Sequence, residues 1–289
     1  MPIPVPEAVD EAGALARTKA DQARNLPRYA IASMLAGAYV GVAVVLLISV
    51  GAPLVSAASP FSKLIQGAVF GVALTLVVFA GAELFTGNTM TMLQGMVRRD
   101  VRIGDLLVVW VSSLIGNFVG SIAFAAAVSQ SGALTIGATP GKPSPAQALL
   151  GSIVQGKDAA SGSQLFWRAV LCNALVCLGL WMASRTRSDA AKCIVLWWAL
   201  LAFVASGFEH SIANMTTFSL AALDGSGTWS MLFRNLEWTV PGNIVGGALV
   251  VGGSYAWLGA KSRAPEPATP VPAADPSPNG QELEPVTVA

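Results

Sequence analysis

Apolar residues run along most of this chain in long segments, which short polar stretches separate. A helix that crosses a bilayer needs roughly 20 consecutive and mainly apolar residues, so we expect the longer segments to be membrane spans. We predict six spans, at residues 29–50, 66–82, 106–128, 165–183, 194–206 and 240–258. Gly81 and Gly207 interrupt the second and fifth spans, and a brief apolar segment follows each glycine. The pattern therefore predicts an all-α membrane protein with six transmembrane helices, of which helices 2 and 5 are broken.

The two ends of the chain have a different pattern. Residues 1–27 mix acidic, basic and small apolar residues without the continuous apolar region of a signal peptide, which predicts an amphipathic helix at the membrane surface. Residues 260–289 are rich in Pro, Ala, Ser and Glu, a composition that buries too little apolar surface to offset chain entropy. We expect a transmembrane domain at residues 28–259, between a cytoplasmic N-terminal helix and a disordered cytoplasmic tail.

Composition supports a membrane protein and indicates its orientation. Hydrophobic residues make up 54% of the chain and charged residues 11%, whereas roughly 25% of the residues in soluble domains are charged. Of the 17 Lys and Arg residues, 12 fall on one side of the predicted spans if both termini are placed there. Because basic residues favour the cytoplasmic side, we predict that both termini are cytoplasmic. The net charge of +1 gives no indication of a nucleic-acid partner.

Two sequence motifs recur at a constant spacing of 126 residues. The segment GAELFTGN begins at Gly81 and GFEHSIAN at Gly207, while GNFVG begins at Gly116 and GNIVG at Gly242. Each half of the chain contains three spans, and because three is odd, the second half enters the membrane from the opposite side. Irregular backbone at membrane depth is tolerated only where protein or water satisfies its polar groups. We therefore expect two inverted three-helix repeats, with the two breaks beside a shared pathway.

The second break contains the one histidine of the chain, His210, next to Glu209. Ionisable residues inside a membrane are costly and tend to mark a transport pathway, which favours a functional role for His210. Glu83 is the counterpart of Glu209 in the first break, so we interpret both carboxylates as loop-shaping groups that accept hydrogen bonds from freed backbone N–H groups. The counterpart of His210 is Leu84, which leaves the histidine as the asymmetric residue.

Four asparagines occupy matched positions in the two halves. We interpret Asn88 and Asn214 as further loop-shaping residues of the breaks. Asn117 and Asn243 fit interhelical hydrogen-bond anchors better than pore groups, although Asn243 follows Pro241 and is a candidate for the pathway. The glycines around them are typical of helices that pack closely.

The motifs FAGAELFTGNTM and FVASGFEHSIANMT resemble the paired signatures of the formate/nitrite transporter family, and the resemblance covers about residues 25–258. The runs SMLAGAYVG, LCNALVCLGLWMASRT and LWWALLAFVASG are more similar to its bacterial nitrite channels than to its formate channels. The resemblance implies an aquaporin-like channel domain at residues 28–259, assembled as a homopentamer in the bacterial cytoplasmic membrane. It also implies transport of a small monovalent anion together with protons, without a cofactor.

The resemblance assigns roles to individual positions. Five apolar residues form two constrictions, the external one from Phe70, Phe85 and Val176 and the cytoplasmic one from Leu74 and Phe203. Four polar residues line the substrate pathway: Thr86, His210, Asn243 and, in an external vestibule, Lys157. Because a dry constriction opposes any ion, we expect the solute to cross as the neutral acid.

Other functions fit the sequence less well than nitrite transport. Within the family, formate is the main alternative substrate and hydrosulfide a more distant one. Ser211 next to His210 suggests an intramembrane hydrolase, but the chain has no GxSxG-like elbow. A metal site is not indicated, because Cys172, Cys177 and Cys193 lack CxxC spacing. A purely structural membrane scaffold would not explain two matched breaks that carry polar residues.

Overall fold

The computed structural model describes residues 1–260, and that part of the chain folds into helices without a strand. The helices are α1 (Val5–Ala23), α2 (Leu26–Ser56), α3 (Ser62–Phe70), α4 (Val72–Ala80), α5 (Phe85–Val97), α6 (Ile103–Ser131), α7 (Pro145–Asp158), α8 (Gly162–Ser184), α9 (Asp189–Ala205), α10 (Ser211–Asp224), α11 (Trp229–Ile244) and α12 (Ser254–Leu258). A π-helix (Val245–Gly253) joins α11 to α12. The prediction of an all-α chain is confirmed for these residues. Apart from Ala260, the predicted tail at 260–289 lies outside the described residues.

Four helical segments are long and apolar enough to cross a membrane. They are Leu26–Ser56, Ser62–Ala80, Ile103–Ser131 and Gly162–Ser184, and they match the first four predicted spans. α9 has 17 residues and α11 has 16, which is below the roughly 20 residues that a span needs. α11, the π-helix and α12 follow one another with helical backbone angles at both junctions, so the sixth predicted span is a composite helix.

Both interruptions predicted from the sequence are present, the first between α4 and α5 and the second between α9 and α10. Gly81 has a φ of +76° and Gly207 a φ of +73°, values that residues with a Cβ rarely adopt. After each glycine the chain is extended, and Leu84 and His210 then take the N-cap positions of α5 and α10. The glycines therefore turn the chain out of one half-helix and let it begin another.

Small residues let the long helices approach closely. A Cβ on Gly120 of α6 would overlap the backbone of Met34 in α2, and a Cβ on Gly246 of the π-helix would overlap the Val170 carbonyl in α8. Both glycines belong to the GNxVG runs. The interpretation of these glycines as packing residues is therefore confirmed.

The N-terminal helix α1 packs across one end of the bundle. Its small residues face the protein, and Ala16 lies so close to Gly95 of α5 that a Cβ on the glycine would overlap it. Glu11 forms an ion pair with Arg187, in the loop between α8 and α9. These contacts place the buried face of α1 against protein, and the predicted position of residues 1–27 at the membrane surface stays a prediction.

Candidate functional site

His210 lies in a cluster of apolar side chains. Its imidazole stacks on the Phe203 ring with 5.9 Å between the ring centroids, and Phe203 meets the Phe70 ring edge-on at 5.6 Å. The wall of the narrow cavity at this point consists of Val40, Phe70, Ala73, Leu74, Leu84, Val176, Leu200, Phe203 and His210. Four of the five predicted constriction residues are therefore brought together around the histidine.

The fifth, Phe85, is buried but does not line this cavity. Phe70 also touches Phe203, which was assigned to the opposite constriction, and both line the same narrow cavity as Val176. The division of these residues between an external and a cytoplasmic constriction stays a prediction.

Thr86 of the first break meets His210 of the second. The Thr86 hydroxyl lies 3.2 Å from His210 Nε2, and both side chains are buried. The Nδ1 atom of His210 accepts a hydrogen bond from the backbone N–H of Ala213 at 3.1 Å, so we assign the ring hydrogen to Nε2. His210 therefore caps α10 with one ring nitrogen and directs an N–H donor at the Thr86 hydroxyl with the other.

Asn117 and Asn243 hold the two breaks with matching hydrogen bonds. Each amide oxygen accepts from the first backbone N–H of the following half-helix, α5 or α10, at 2.9 Å. Each amide nitrogen donates to the carbonyl of the glutamate in the break, at 2.8 Å for Glu83 and 3.0 Å for Glu209, and to a carbonyl in α2 or α8. Asn243 therefore has no amide hydrogen left for a solute. The structure shows it as an anchor of the second break, the role that the sequence favoured, and its place on the substrate pathway stays a prediction.

The same contacts reveal a second repeat spacing. The backbone N–H of Glu83 donates to the Ala32 carbonyl at 3.1 Å, and that of Glu209 donates to the Arg168 carbonyl at 3.3 Å. Ala32 and Arg168 are 136 residues apart, whereas the two glutamates are 126 apart. The second half is thus ten residues shorter between its first helix and its break. A search for repeats at a fixed spacing of 126 residues therefore aligns the two breaks but does not align α2 with α8.

Glu209 is the buried partner of Lys157. Only 2% of the Glu209 side chain is exposed, against 20% of Lys157, and Lys157 Nζ lies 2.7 Å from a carboxylate oxygen. The same oxygen accepts from the Asn214 amide at 2.7 Å, and that amide also donates to Asn235. The predicted vestibule lysine therefore lies beside the second break, and Glu209 balances its charge.

A similar cluster at the first break includes Lys19, which the sequence pattern did not indicate. Lys19 Nζ lies 2.8 and 2.7 Å from the two oxygens of Glu83. The Asn88 amide and the Tyr29 hydroxyl donate to the same carboxylate at 3.1 and 3.2 Å. Lys19 lies in α1, outside the predicted spans and 138 residues before Lys157, so the 126-residue repeat gave no signal for it.

The two glutamates shape the breaks in a different way from the one predicted. Within residues 1–260, both carboxylates bind lysine and asparagine side chains, and neither accepts from a freed backbone N–H. Asn117 and Asn243 satisfy those N–H groups instead. An amide carries donors as well as an acceptor, so each asparagine also bonds the carbonyl of the break glutamate, which a carboxylate could not do.

A larger cavity of about 880 Å³ lies beside the first break, next to α1. Lys19, Glu83 and Asn88 line it, and so does Leu84, which also lines the narrow cavity around His210. Leu84 therefore separates the two cavities. In the sequence, Leu84 was indicated by its position as the repeat counterpart of His210.

Comparisons with known proteins identify the family of the chain. The family model described as formate/nitrite transporter matches residues 6–257. The chain is 37% identical over 249 residues to the nitrite transporter NirC of Salmonella typhimurium, a match that covers 85% of this chain and 88% of that protein. A solved FNT family ion channel has a TM-score of 0.79 and 35% identity, with 87% of this chain and 98% of that chain covered. A pentameric formate channel with formate bound has a TM-score of 0.68 and 28% identity, with coverages of 81% and 97%. Because the family model spans nearly the whole described chain, this protein belongs to the formate/nitrite transporter family of membrane channels and transporters, and it is not an enzyme.

Proposed function

We propose that this chain is a channel for small monovalent anions and that nitrite is its preferred substrate. The observation that carries the proposal is the contact between Thr86 and His210, in which two hydrogen-bonding groups meet inside an apolar cluster. A small polar solute can bind these groups while Phe70 and Phe203 exclude bulk water. The similarity to a nitrite transporter supports nitrite over other anions.

Passage as the neutral acid follows from the cost of placing an ion in the apolar cluster. The idealised cost of moving a carboxylate-sized ion from water into a low dielectric is about 20 kcal/mol, and several kcal/mol remain after relaxation and water entry. For an acid with a pKa of about 3.5, protonation at pH 7 costs roughly 5 kcal/mol, at about 1.36 kcal/mol per pH unit. The anion and a proton therefore cross together, and protons are the second transported species.

Helix ends gather the anion before it takes up a proton. α5 and α10 both begin at the breaks, and their helix dipoles place positive partial charge there, although Asn117 and Asn243 already bond the first N–H of each helix. Lys157 adds attraction on the outer side, although Glu209 balances its charge and limits the range of its field. His210 binds the solute through Nε2–H, and water supplies the proton.

The apolar residues divide into two constrictions on either side of His210. Phe203 and Leu74 form the cytoplasmic one, and Phe70, Phe85 and Val176 form the external one. The contact between Phe70 and Phe203 brings the two constrictions close together. Leu84 closes the cytoplasmic side at the wall of the larger cavity.

The architecture in the proposal is two inverted three-helix repeats in an aquaporin-like fold. The matching hydrogen bonds at the two breaks support it. The side chains of Trp167, Trp198 and Trp257 are more than half exposed, which suits burial in lipid or against neighbouring protomers. Together with the similarity to a pentameric channel, they support a homopentamer in the bacterial cytoplasmic membrane. Both termini face the cytoplasm.

Nitrite uptake into proteoliposomes tests the proposal. We expect uptake to rise as the external pH falls, because the neutral fraction of the acid rises about tenfold per pH unit. His210→Phe and Thr86→Val should each reduce uptake about tenfold or more. Thr217→Val is the matched control, because the Thr217 hydroxyl bonds only the Ala213 carbonyl within α10. A pH-independent electrogenic nitrite current, or normal uptake in both pathway variants, would contradict the proposal.

Formate is the second candidate substrate, and the similarity to a formate channel with formate bound favours it. Uptake of labelled nitrite is measured with an equal concentration of formate at two pH values. If nitrite is preferred, formate lowers nitrite uptake by less than half at both pH values. If formate instead lowers nitrite uptake by more than half at both pH values, formate is the preferred substrate.

A further inference from the structure

The larger cavity beside the first break contains buried polar atoms without partners. Gln94 of α5 lies in its wall, and 0% of this residue is exposed. Within the described residues, neither its amide oxygen nor its amide nitrogen has a hydrogen-bond partner. Trp181 Nε1, in the same wall, is unpartnered as well. Buried polar groups nearly always have partners, so these groups indicate that the cavity receives a polar guest.

The position of Gln94 on α5 directs it toward the cavity. Gly87, Thr91 and Gln94 follow one another at helical spacings of four and three residues, and all three line the cavity. Gln94 comes eight residues after Thr86, which corresponds to about 12 Å along the axis at 1.5 Å per residue. Gln94 therefore lies beyond Leu84 as seen from His210, at a second point along α5.

The repeat shows that the fold does not need a polar residue at this point. The counterpart of Gln94 in α10 is Leu220, which is 1% exposed and belongs to the main apolar core. A leucine therefore packs well at this position of the half-helix, whereas burying an amide without a hydrogen-bond partner costs free energy. His210 and Leu84 show the same asymmetry, with the polar residue in only one of the two breaks.

We propose that Gln94 forms a second binding site for the transported acid and that it binds the neutral form. This inference rests on the proposed function of the chain. A primary amide offers a C=O acceptor and N–H donors side by side. A neutral oxyacid such as nitrous or formic acid offers an O–H donor beside an acceptor oxygen, so the two groups close a ring with two hydrogen bonds. The anion lacks the O–H and leaves the amide C=O unpartnered.

Most of the charge around Gln94 is balanced. Four cationic side chains line the same cavity, and three of them are paired with carboxylates: Lys19 with Glu83 at 2.7 Å, Arg187 with Glu11 and Lys192 with Asp189. The fourth is Arg28. Gln94 lines the cavity although its amide atoms are buried, so binding a guest requires the side chain to rotate toward the cavity. The Thr91 hydroxyl, whose bond to the Gly87 carbonyl is long at 3.4 Å, is a further partner for the acid.

Gln94→Leu tests the inference because stability and flux should change in opposite directions. Removal of a buried, unpartnered amide should maintain or raise the melting temperature of the purified protein in detergent. Loss of the site should lower nitrite uptake by about fivefold, as expected for one or two hydrogen bonds. Gln94→Met, which keeps the length of the side chain, should behave in the same way.

Ser219→Ala is the matched control. It also removes a buried and unpartnered polar group, but from α10 and outside the cavity wall. Its melting temperature should be maintained or raised, and its nitrite uptake should equal that of the wild type. A change in flux in this control would mean that removal of a buried polar group alters transport without a binding site.

Binding is measured directly with sodium formate at about pH 5. A ligand that binds the native state raises its melting temperature, so formate should stabilise the wild type more than Gln94→Leu. Equal uptake and equal stabilisation in the two proteins would show that the amide binds only water and would overturn the inference. A lower melting temperature in Gln94→Leu together with lost flux would also overturn it, because the residue would then be structural. If the wild type transports neither nitrite nor formate, the proposed function fails. The rise in melting temperature with formate, compared between the wild type and Gln94→Leu, still tests binding at Gln94.

Discussion

Removing Lys157 alone is expected to destabilise the protein more than removing Lys157 and Glu209 together. In Lys157→Met, the Glu209 carboxylate remains buried at 2% exposure and retains Asn214 as a partner. At 2.7 Å the attraction in the pair is about 6 kcal/mol for an effective dielectric constant of about 20, and much of it offsets the desolvation of the two charges. Breaking such a pair on one side costs about 3–5 kcal/mol, because an uncompensated charge is left behind.

A double-mutant cycle measures this difference through melting temperatures in detergent. For a chain of this size, about 1 kcal/mol corresponds to roughly 2–4 °C, so Lys157→Met should melt about 6–20 °C lower. Glu209→Gln should melt only about 2–4 °C lower, since the Lys157 side chain is 20% exposed and can extend to water. The double variant should melt within a few degrees of Glu209→Gln, so the coupling free energy should be close to the cost of Lys157→Met alone, about 3–5 kcal/mol.

The pair at the first break provides a comparison within the same protein. Lys19→Met should cost less than Lys157→Met, because Glu83 is 12% exposed and keeps the Tyr29 hydroxyl and the Asn88 amide as partners. If the double variant melts below Lys157→Met by about 2–4 °C, the cost of Glu209→Gln alone, the two effects add and the residues are not coupled. That result would refute the reasoning from a buried, charge-balanced pair.

The same variants separate the structural role of Lys157 from its electrostatic role. Glu209→Gln leaves the positive charge of Lys157 unbalanced, so initial nitrite uptake should rise at low ionic strength. The rise should shrink with added salt, since the Debye length is about 8 Å at 0.15 M. An uptake rate that is independent of salt in Glu209→Gln would exclude electrostatic attraction by this lysine.

The break anchors and the packing glycines give two further predictions. Asn243→Leu and Asn117→Leu each leave a backbone N–H and two carbonyls without their partners, so both should lose about 2–4 kcal/mol of stability by melting temperature. A stable Asn243→Leu variant that has lost transport would return Asn243 to the pathway. Gly120→Ala should lower stability by about 1–3 kcal/mol, since the new methyl group would overlap the Met34 backbone. Gly104→Ala is its control, because nothing lies within 4 Å of a Cβ there, and equal stability of the two variants would contradict the close approach of α2 and α6.

The positions of the two breaks could be predicted from the sequence because their cause is local. Gly81 and Gly207 adopt positive φ values, and a Cβ at either position would strain the backbone. The importance of His210 could be predicted for a related reason. An ionisable side chain within apolar sequence has no nearby solvent, so it needs a specific partner or a function.

The partners of the break residues could not be predicted because distant segments supply them. Lys19 reaches Glu83 across 64 residues, and it does so because α1 folds back against α5. The contact between Phe70 and Phe203 joins α3 to α9, so the constriction to which Phe70 belongs depends on how these two helices pack. No local pattern contains this information.

The sequence by itself determined that the chain is a helical membrane protein with two broken helices and one histidine at a break. Runs of apolar residues and single glycines with unusual backbone angles are local features. Both can therefore be recognised from the sequence alone. Only the tertiary structure decided which polar groups a solute can use. Asn243 and the two glutamates are engaged by partners within about 3 Å, whereas the Gln94 amide is not, and the Thr86 hydroxyl and His210 Nε2 face each other. Those partners come from other helices, so no local pattern along the chain shows which groups remain available to a solute.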